Sequence, residues 1–451
     1  MRVLLISTYN VFFTGLRSIG AYLEKHGHTV FYEHLKTPTN SSIKKMADCI
    51  KPDIIGFTCL TAGARKVIRY AEIFKQLLPD STVVLGNIHA TLYYDQILSN
   101  FPLIDYVILE EGELPMKDLI EHLSGKIPLV EVPGIAFRNE KGCVVRNRKP
   151  ESLPDINDIS NKPGKWNLKG NSIRIVTSRG CPYNCDYCTE RMISRQKWRP
   201  LTAEKSVDII EYWHKRYNIK RFNIDDVIFT IDKNRVKEIC MEINKRKLQI
   251  TWVCQTHPKH IDKELLYYMK KAGCIAVCIG LDCATNSLMY KYRRFKVNYS
   301  RIQELIRNAR GLDILIVINL IFCYPDSSLI ADLKHLLCII RKLKPAAIGI
   351  NPLRLYPGTR IYEEAVKKGI ISNDYWLDKR NPEVYSGNYM RTKSKLCINL
   401  IEFVFISAIF LTQFSYRIEI KGLLFEIIKI TRNTTATIVS DLKTFISKLN
   451  I

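Results

Sequence analysis

Ser178-Arg-Gly-Cys181-Pro-Tyr-Asn-Cys185-Asp-Tyr-Cys188 places three cysteines at CxxxCxxC spacing directly after a short apolar run, Ile173–Thr177. Close spacing on one loop lets three thiolates converge on a metal without help from distant parts of the chain. Thiolates are the soft ligands that iron–sulfur centres and zinc require. Three ligands leave a four-position centre with an open position, where chemistry occurs, whereas structural sites are closed by a fourth ligand. A structural zinc knuckle completed by Cys240, Cys254 or His214 is the alternative, although such sites usually come as two CxxC-like pairs. The remaining cysteines stand singly in apolar contexts such as Ala272-Gly-Cys274-Ile-Ala-Val-Cys278 and read as small buried hydrophobes.

Downstream of the triple, strand candidates recur at Arg221–Ile224, Thr251–Cys254, Ala276–Ile279, Leu315–Ile321 and Ile348–Leu353. Helical spacing separates them at Ala203–Tyr217, Lys233–Lys245 and Asp262–Lys271. With Ile173–Thr177 this makes six strand-plus-helix units, a partial (β/α)6 barrel over 171–371. Upstream, Val3–Thr8, Thr29–Tyr32, Ile54–Thr58, Thr82–Leu85 and Asp105–Leu109 alternate with helical segments such as Ile19–His26 and Ala64–Leu78. The pattern predicts a doubly wound, Rossmann-like α/β domain over 1–130. Ligands of such sheets bind at the carboxyl ends of the strands, here the loops around Thr8–Thr14, Thr58–Gly63, Gly86–Thr91 and Glu110–Glu113.

Between the two, residues 131–170 are punctuated by Pro133-Gly134, Asn139–Gly142, Pro150, Pro154, Pro163 and Gly164 and read as a linker with one hairpin. Residues 372–451 form a mostly helical C-terminal extension. Within it Leu396–Phe414 reads as a helix packed on the barrel, with peripheral membrane contact or a marginal span as alternatives.

The chain has 451 residues, 47% of them hydrophobic and 25% charged, which excludes a disordered tail, a collagen and a disulfide miniprotein. No secretory signal is read in Met1–Thr8, and a reducing, cytoplasmic setting is expected, with membrane association as the possible departure. The net charge of +24 suits phosphates, nucleic acid or an anionic membrane and does not choose among them. Its basic runs, Arg138–Lys149, Arg191–Arg199 and Lys291–Lys296, read as solvated faces, or in the second case as an attraction for an anionic substrate.

The cysteine triple with its strand and flanks resembles the radical S-adenosylmethionine enzymes. The resemblance implies that Cys181, Cys185 and Cys188 ligate a 4Fe-4S cluster whose open iron is chelated by S-adenosylmethionine, and that reductive cleavage yields a 5′-deoxyadenosyl radical. Tyr187 would sit near the adenine. Phe222-Asn-Ile-Asp225-Asp226-Val-Ile-Phe229 is similar to the element that approaches the methionine ammonium, although one of the two acids could merely cap a helix. Gly280-Leu-Asp282-Cys283 looks like the family's Gly-x-Glu-Ser, so Asp282 would reach the ribose with one methylene less. Tyr356-Pro357-Gly358-Thr359 is similar to the family's Pro-Gly-Thr element. Trp252-Val-Cys-Gln-Thr256-His257 departs from the pattern, lacking an arginine found in many relatives.

The first domain resembles the cobalamin-binding domain attached to one radical S-adenosylmethionine subclass. The resemblance rests on Thr58-Cys-Leu60, Gly86-Asn87-Ile-His89 and Glu110-Glu111-Gly112-Glu113 after successive strands. It implies cobalamin contacts from Thr58, Leu60, Gly86, Asn87, His89, Glu111 and Gly112, with a loop-ordering role as the alternative for His89. An Asp-x-His-x-x-Gly element is absent after the first strand, so no histidine ligand to cobalt is expected from that loop. The implied activity is a cobalamin-dependent radical methyltransferase acting on an unactivated carbon or phosphorus. A cyclase or rearrangement enzyme built from the same domains, and a non-catalytic cobalamin or cluster sensor, are the alternatives. The expected partners are a small-molecule or lipid substrate, anionic ones included, and an electron donor such as flavodoxin or ferredoxin. Nucleic acid is not expected, because the transfer-RNA methylthiotransferases add three cluster cysteines that the scattered Cys49, Cys59 and Cys143 do not supply.

Overall fold

The computed structural model describes residues 1–9, 14–35, 38–148, 156–159, 162–163, 170–283, 286–293, 298–322, 324–325, 327 and 329–377. The expectation for Leu396–Phe414 and most of the C-terminal extension lies outside them. No helix among the described residues is long and apolar enough to cross a membrane. The chain divides into two units: Met1–Phe229, Asn234–Trp252 and 355–377 form the first, and Thr230–Lys233 with Val253–Arg354 the second.

The first unit opens with β1 (Arg2–Ser7), α1 (Thr14–Lys25), β2 (Thr29–His34), α2 (Asn40–Ile50), β3 (Ile54–Thr58), α3 (Ala64–Leu77), β4 (Thr82–Gly86), α4 (Ile88–Leu92), α5 (Tyr94–Asn100), β5 (Tyr106–Ile108) and α6 (Glu113–Leu123). The sheet order is β2-β1-β3-β4-β5, all parallel, which reverses direction between β1 and β3 as doubly wound sheets do. Both faces are covered, so β1, β3 and β4 carry continuous apolar runs rather than alternating ones. Leu4, Ile6, Ile55 and Phe57 pack under α2 and α3, while Val3, Leu5, Ile54 and Val84 pack under α1 and α6. The hairpin expected in the linker belongs to this sheet. Its strands β6 (Ile135–Arg138) and β7 (Val144–Arg146) extend the order antiparallel from β5. Asn139 Oδ1 tightens its turn by accepting from the amides of Lys141 and Cys143.

The same unit continues with β8 (Ser172–Ile175), β9 (Ser178–Arg179), α7 (Glu190–Ile193), β10 (Arg199–Pro200), α8 (Ala203–Tyr217), β11 (Arg221–Ile224) and α9 (Lys233–Lys245, whose first residue falls in the second unit). β8 pairs parallel with β11, and β9 pairs antiparallel with β10. Thr202 caps α8 by accepting from the Lys205 amide, and the helix ends at Asn218 in the left-handed region.

Next come β12 (Thr251–Thr256), α10 (Lys263–Lys271), β13 (Cys274–Asp282), α11 (Asn286–Arg293), α12 (Tyr299–Gly311), β14 (Leu315–Phe322), α13 (Leu329–Leu343) and β15 (Ala347–Pro352), followed by α14 (Arg360–Lys367) back in the first unit. β13, β14 and β15 pair in parallel order. The strand-and-helix alternation read from the sequence is present, with α11 added to it.

Candidate functional site

A cavity of about 310 Å³ opens in the first unit where the parallel strands end. Gly56, Thr58, Gly86, Asn87 and Ile108 come from those ends, and Gly15, Ser18 and Ile19 from the start of α1. Its walls exploit missing side chains. A Cβ on Gly56 would stand 2.9 Å from Leu5 Cδ2, and one on Gly112 would stand 2.7 Å from Ile19 Cδ1. Asn87 turns the chain after β4 with φ +82° and donates its amide nitrogen to Thr58 Oγ1 at 2.9 Å, while its oxygen accepts from the Ile88 amide at 2.6 Å. No histidine lines the cavity among the described residues.

One wall is a network of charges. Glu113, the first residue of α6, is fully buried and pairs with Arg179 at 2.5 Å; it also accepts from Ser18 Oγ at 2.7 Å. Arg179 reaches Glu111 at 3.2 Å and donates to Ser18 Oγ at 2.8 Å. Glu111 also takes Arg199, and Glu110 takes Arg195 at 2.5 Å. Burial pushes the Glu113 carboxyl upward, but Arg179 and Ser18 outweigh it and hold the pKa below the ordinary carboxylate value. Two arginines of the Arg191–Arg199 run thus pair with carboxylates of the cavity wall, Arg195 while partly exposed and Arg199 while largely buried.

The three cysteines lie between β9 and α7. Cys181 is buried and the other two are half-buried; all the described cysteines are free thiols. Cys188 donates its amide to Cys185 O at 3.2 Å. Its thiol is pushed up to about 12 by burial, to which the neighbouring Cys185 and Cys181 add, so the three thiols share one electrostatic neighbourhood. No group of three or more His, Cys, Asp or Glu among the described residues is arranged to hold a metal ion as it stands. The loop's entry is fixed by Gly180 at φ +89°, where a Cβ would fall 1.9 Å from the Lys197 carbonyl oxygen.

The Pro357-Gly358-Thr359 turn docks on this loop. The Ile361 amide donates to Asp186 O at 3.3 Å, Arg360 pairs with the Asp186 carboxylate at 3.2 Å, and Arg191 bonds both Asn184 Oδ1 and Gly358 O. Gly358 has φ +75°, and Thr359 caps α14. Tyr187 is half-buried between the docked Asp186 and Cys188.

Asp225 and Asp226 have opposite fates. Asp225 lines the cavity and pairs with Arg174 at 3.2 Å; burial raises its pKa against the pull of Arg174. Asp226 is fully buried, and its carboxylate accepts from the Thr177 amide, Thr177 Oγ1 and Ser178 Oγ at 2.6–2.7 Å. It braces the strand entering the cysteine loop, so its geometry is that of an internal strut and departs from the expected contact with a ligand.

Thr58, Gly86, Asn87, Glu111, Gly112 and Asp225 therefore share one cavity, while Leu60, His89 and Asp226 do not line it. Leu60 is held by the Tyr9 hydroxyl through both its amide and its carbonyl. His89 is fully buried against Tyr93 and, edge-on, Trp376, with its pKa lowered to about 3 by burial. It is a packed position that does not belong to the cavity lining. In the second unit Asp282 has φ +57° and pairs with Arg293 at 2.6 Å, which also donates to Gly280 O. Sequence reasoning assigned no role to Arg179 or Ser18, and named Glu113 only as the last residue of the strand-end loop Glu110–Glu113. Arg179 stands inside the decisive stretch, but no local pattern announces its partners.

The B12 binding domain model matches residues 2–120 and the Radical SAM superfamily model residues 175–337. This chain is a B12-binding radical SAM protein. It is 26% identical over 348 residues to an uncharacterized methyltransferase of Pyrococcus horikoshii, covering 75% of this chain and 74% of the relative. It is 29% identical over 310 residues to the anaerobic magnesium-protoporphyrin IX monomethyl ester cyclase of Rubrivivax gelatinosus, a match spanning 64% of this chain and 56% of that enzyme. Its fold is similar to that of the radical S-adenosylmethionine methyltransferase TsrM of Kitasatospora setae, with a TM-score of 0.72 at 19% identity over 81% of this chain and 76% of that one.

Proposed function

We propose that this B12-binding radical SAM protein is a cobalamin-dependent methyltransferase that methylates an unactivated carbon or phosphorus through a 5′-deoxyadenosyl radical. The observation that carries the reading is the cavity wall: the acids that line it, Glu111 and Glu113, share Arg179 with the strand that enters the cysteine loop. The side-chain-free surface at Gly56, Gly86 and Gly112 and the hydroxyl of Thr58 suit a large ligand threaded between strand ends. Thr58, Gly86, Asn87, Glu111 and Gly112 would hold cobalamin, and Cys181, Cys185 and Cys188 a 4Fe-4S cluster. When bound, the cobalamin supplies a transferable methyl group and the cluster the electron that cleaves S-adenosylmethionine.

The chain's own part is placement. Burial raises the pKa of the Cys188 thiol, and a cation bound at that position would favour its thiolate. Asp225 presents a carboxylate suited to the methionine ammonium, while Tyr187 and the Pro357-Gly358 turn border the same loop. Asp282, held by Arg293 at the end of its strand, would supply the carboxylate that meets the ribose hydroxyls. The substrate is read as a small molecule or lipid and the electron donor as a flavodoxin or ferredoxin.

The match to the cyclase favours a second reading, oxidative ring formation on the same two cofactors. Anaerobic reconstitution with cobalamin and cluster, followed by mass spectrometry of the nucleoside products with candidate substrates, separates the two. Equal yields of S-adenosylhomocysteine and 5′-deoxyadenosine are expected for methylation. Deoxyadenosine alone would select cyclisation, and neither product would refute both.

A further inference from the structure

Arg179 stands two residues before Cys181, and the intervening Gly180 leaves no slack, since any Cβ there would collide with the Lys197 carbonyl. Its guanidinium is largely buried and is held by Ser18, Glu111 and Glu113, all of which line the cavity. A ligand that presses on those side chains therefore presses on the arginine that anchors the entry of the cysteine loop. A planar fork bonded on three sides transmits orientation as well as charge. We propose that Arg179 is a positioning residue that couples the two sites, so that cobalamin binds more tightly to the protein holding its iron–sulfur cluster than to the protein without it. By linkage the cluster is then held more tightly by the protein carrying cobalamin, to the same factor.

The proposal rests on the cobalamin and cluster assignments, and its test reads binding rather than turnover. Hydroxocobalamin is titrated anaerobically into the full chain with and without prior iron–sulfur reconstitution, and the ratio of the two dissociation constants is taken. The expected ratio in the native chain is about tenfold, within the usual range of coupling between sites. Arg179→Gln should bring it to one and Arg179→Lys to an intermediate value. Because Arg179→Gln leaves Glu113 buried without its cation, the double variant Arg179→Gln with Glu113→Gln keeps the wall neutral and should also give a ratio of one. A merely structural role would weaken both forms equally; a ratio left at its native value in these variants overturns the proposal. A native ratio of one overturns it as well, while leaving cobalamin binding established. A native chain that binds no hydroxocobalamin in either form refutes the functional reading and the coupling together.

Discussion

At the cavity of the first unit, Glu110, Glu111 and Glu113 meet arginines lying between 66 and 88 residues further along the chain. In the second unit Asp282 meets Arg293 on the helix that follows it, at the end of its own strand. The first arrangement exists only if a loop after β5 and the strands flanking the cysteines are brought together, whereas the second closes within one strand–helix turn. Remote pairing makes the cavity wall sensitive to single substitutions, since each buried charge depends on a partner that nothing local would replace.

Glu113→Ala tests this most severely. It leaves the Arg179 guanidinium with Glu111 and the Ser18 hydroxyl in a largely buried wall, and breaking a buried pair from one side costs about 3–5 kcal/mol. An unfolding free energy lower by that amount, read from urea denaturation, is expected. A cost no larger than that of neutralising Asp282 would erase the contrast between the two regions.

Gly180→Ala strikes the same wall through the backbone. The left-handed conformation costs a residue with a Cβ about 1–2 kcal/mol, and the collision with the Lys197 carbonyl adds overpacking of about 1–3 kcal/mol. The loop entry has to shift, so iron retention after reconstitution should fall together with stability. Unchanged iron retention would mean that the loop holds its shape independently of the wall.

This contrast explains what the sequence let us read. Ile54–Thr58, Arg221–Ile224, Ala203–Tyr217 and Lys233–Lys245 coincide with β3, β11, α8 and α9, because apolar runs, helical spacing and caps are written in neighbouring residues. The loops at the strand ends were legible too, since strand order in a doubly wound sheet fixes where they converge. The Arg179 network was not, because its members are scattered over α1, the β5–α6 loop, the start of α6 and β9 and are ordinary residues in each. The fates of Asp225 and Asp226 were likewise hidden: both stand at the end of one strand, and only the fold decides which faces the cavity and which braces Thr177 and Ser178. The hairpin was visible in Asn139–Gly142, but its membership of the first sheet was not, since edge pairing leaves no mark in a turn.

Each unit also buries a neutral histidine, and these provide a matched pair. Burial lowers the pKa of His89 to about 3 in the first unit. In the second, burial, aided by Arg293, His260 and Lys259, lowers that of His257 to about 2. Both native imidazoles stay neutral where the unfolded ones take up a proton, below about pH 6.5. The resulting stability is complete above that value and is lost as pH falls toward the folded values, at about 1.4 kcal/mol per pH unit for each ring. Between pH 6.5 and 5 each therefore accounts for about 2 kcal/mol. His89→Phe should flatten the pH dependence of unfolding by that amount over this interval. An unchanged slope would show that His89 is charged in the folded state.

The smallest effect is expected where the pairing is local. Asp282→Asn removes a charge from a pair whose acid is still 19% exposed, and the amide oxygen keeps one bond to Arg293, so the cost should be about 1 kcal/mol. If Asp282 also contacts the ribose of S-adenosylmethionine, the same variant should weaken that affinity more than it weakens folding, because a hydroxyl donor would lose its charged acceptor. The two quantities are separable by calorimetric titration of S-adenosylmethionine and by urea unfolding of the same preparation. Equal losses in both would reduce Asp282 to the fastening of β13 onto α11. A selective loss of affinity would mean that the shortened acid still serves a ligand, with Arg293 holding it at the strand end.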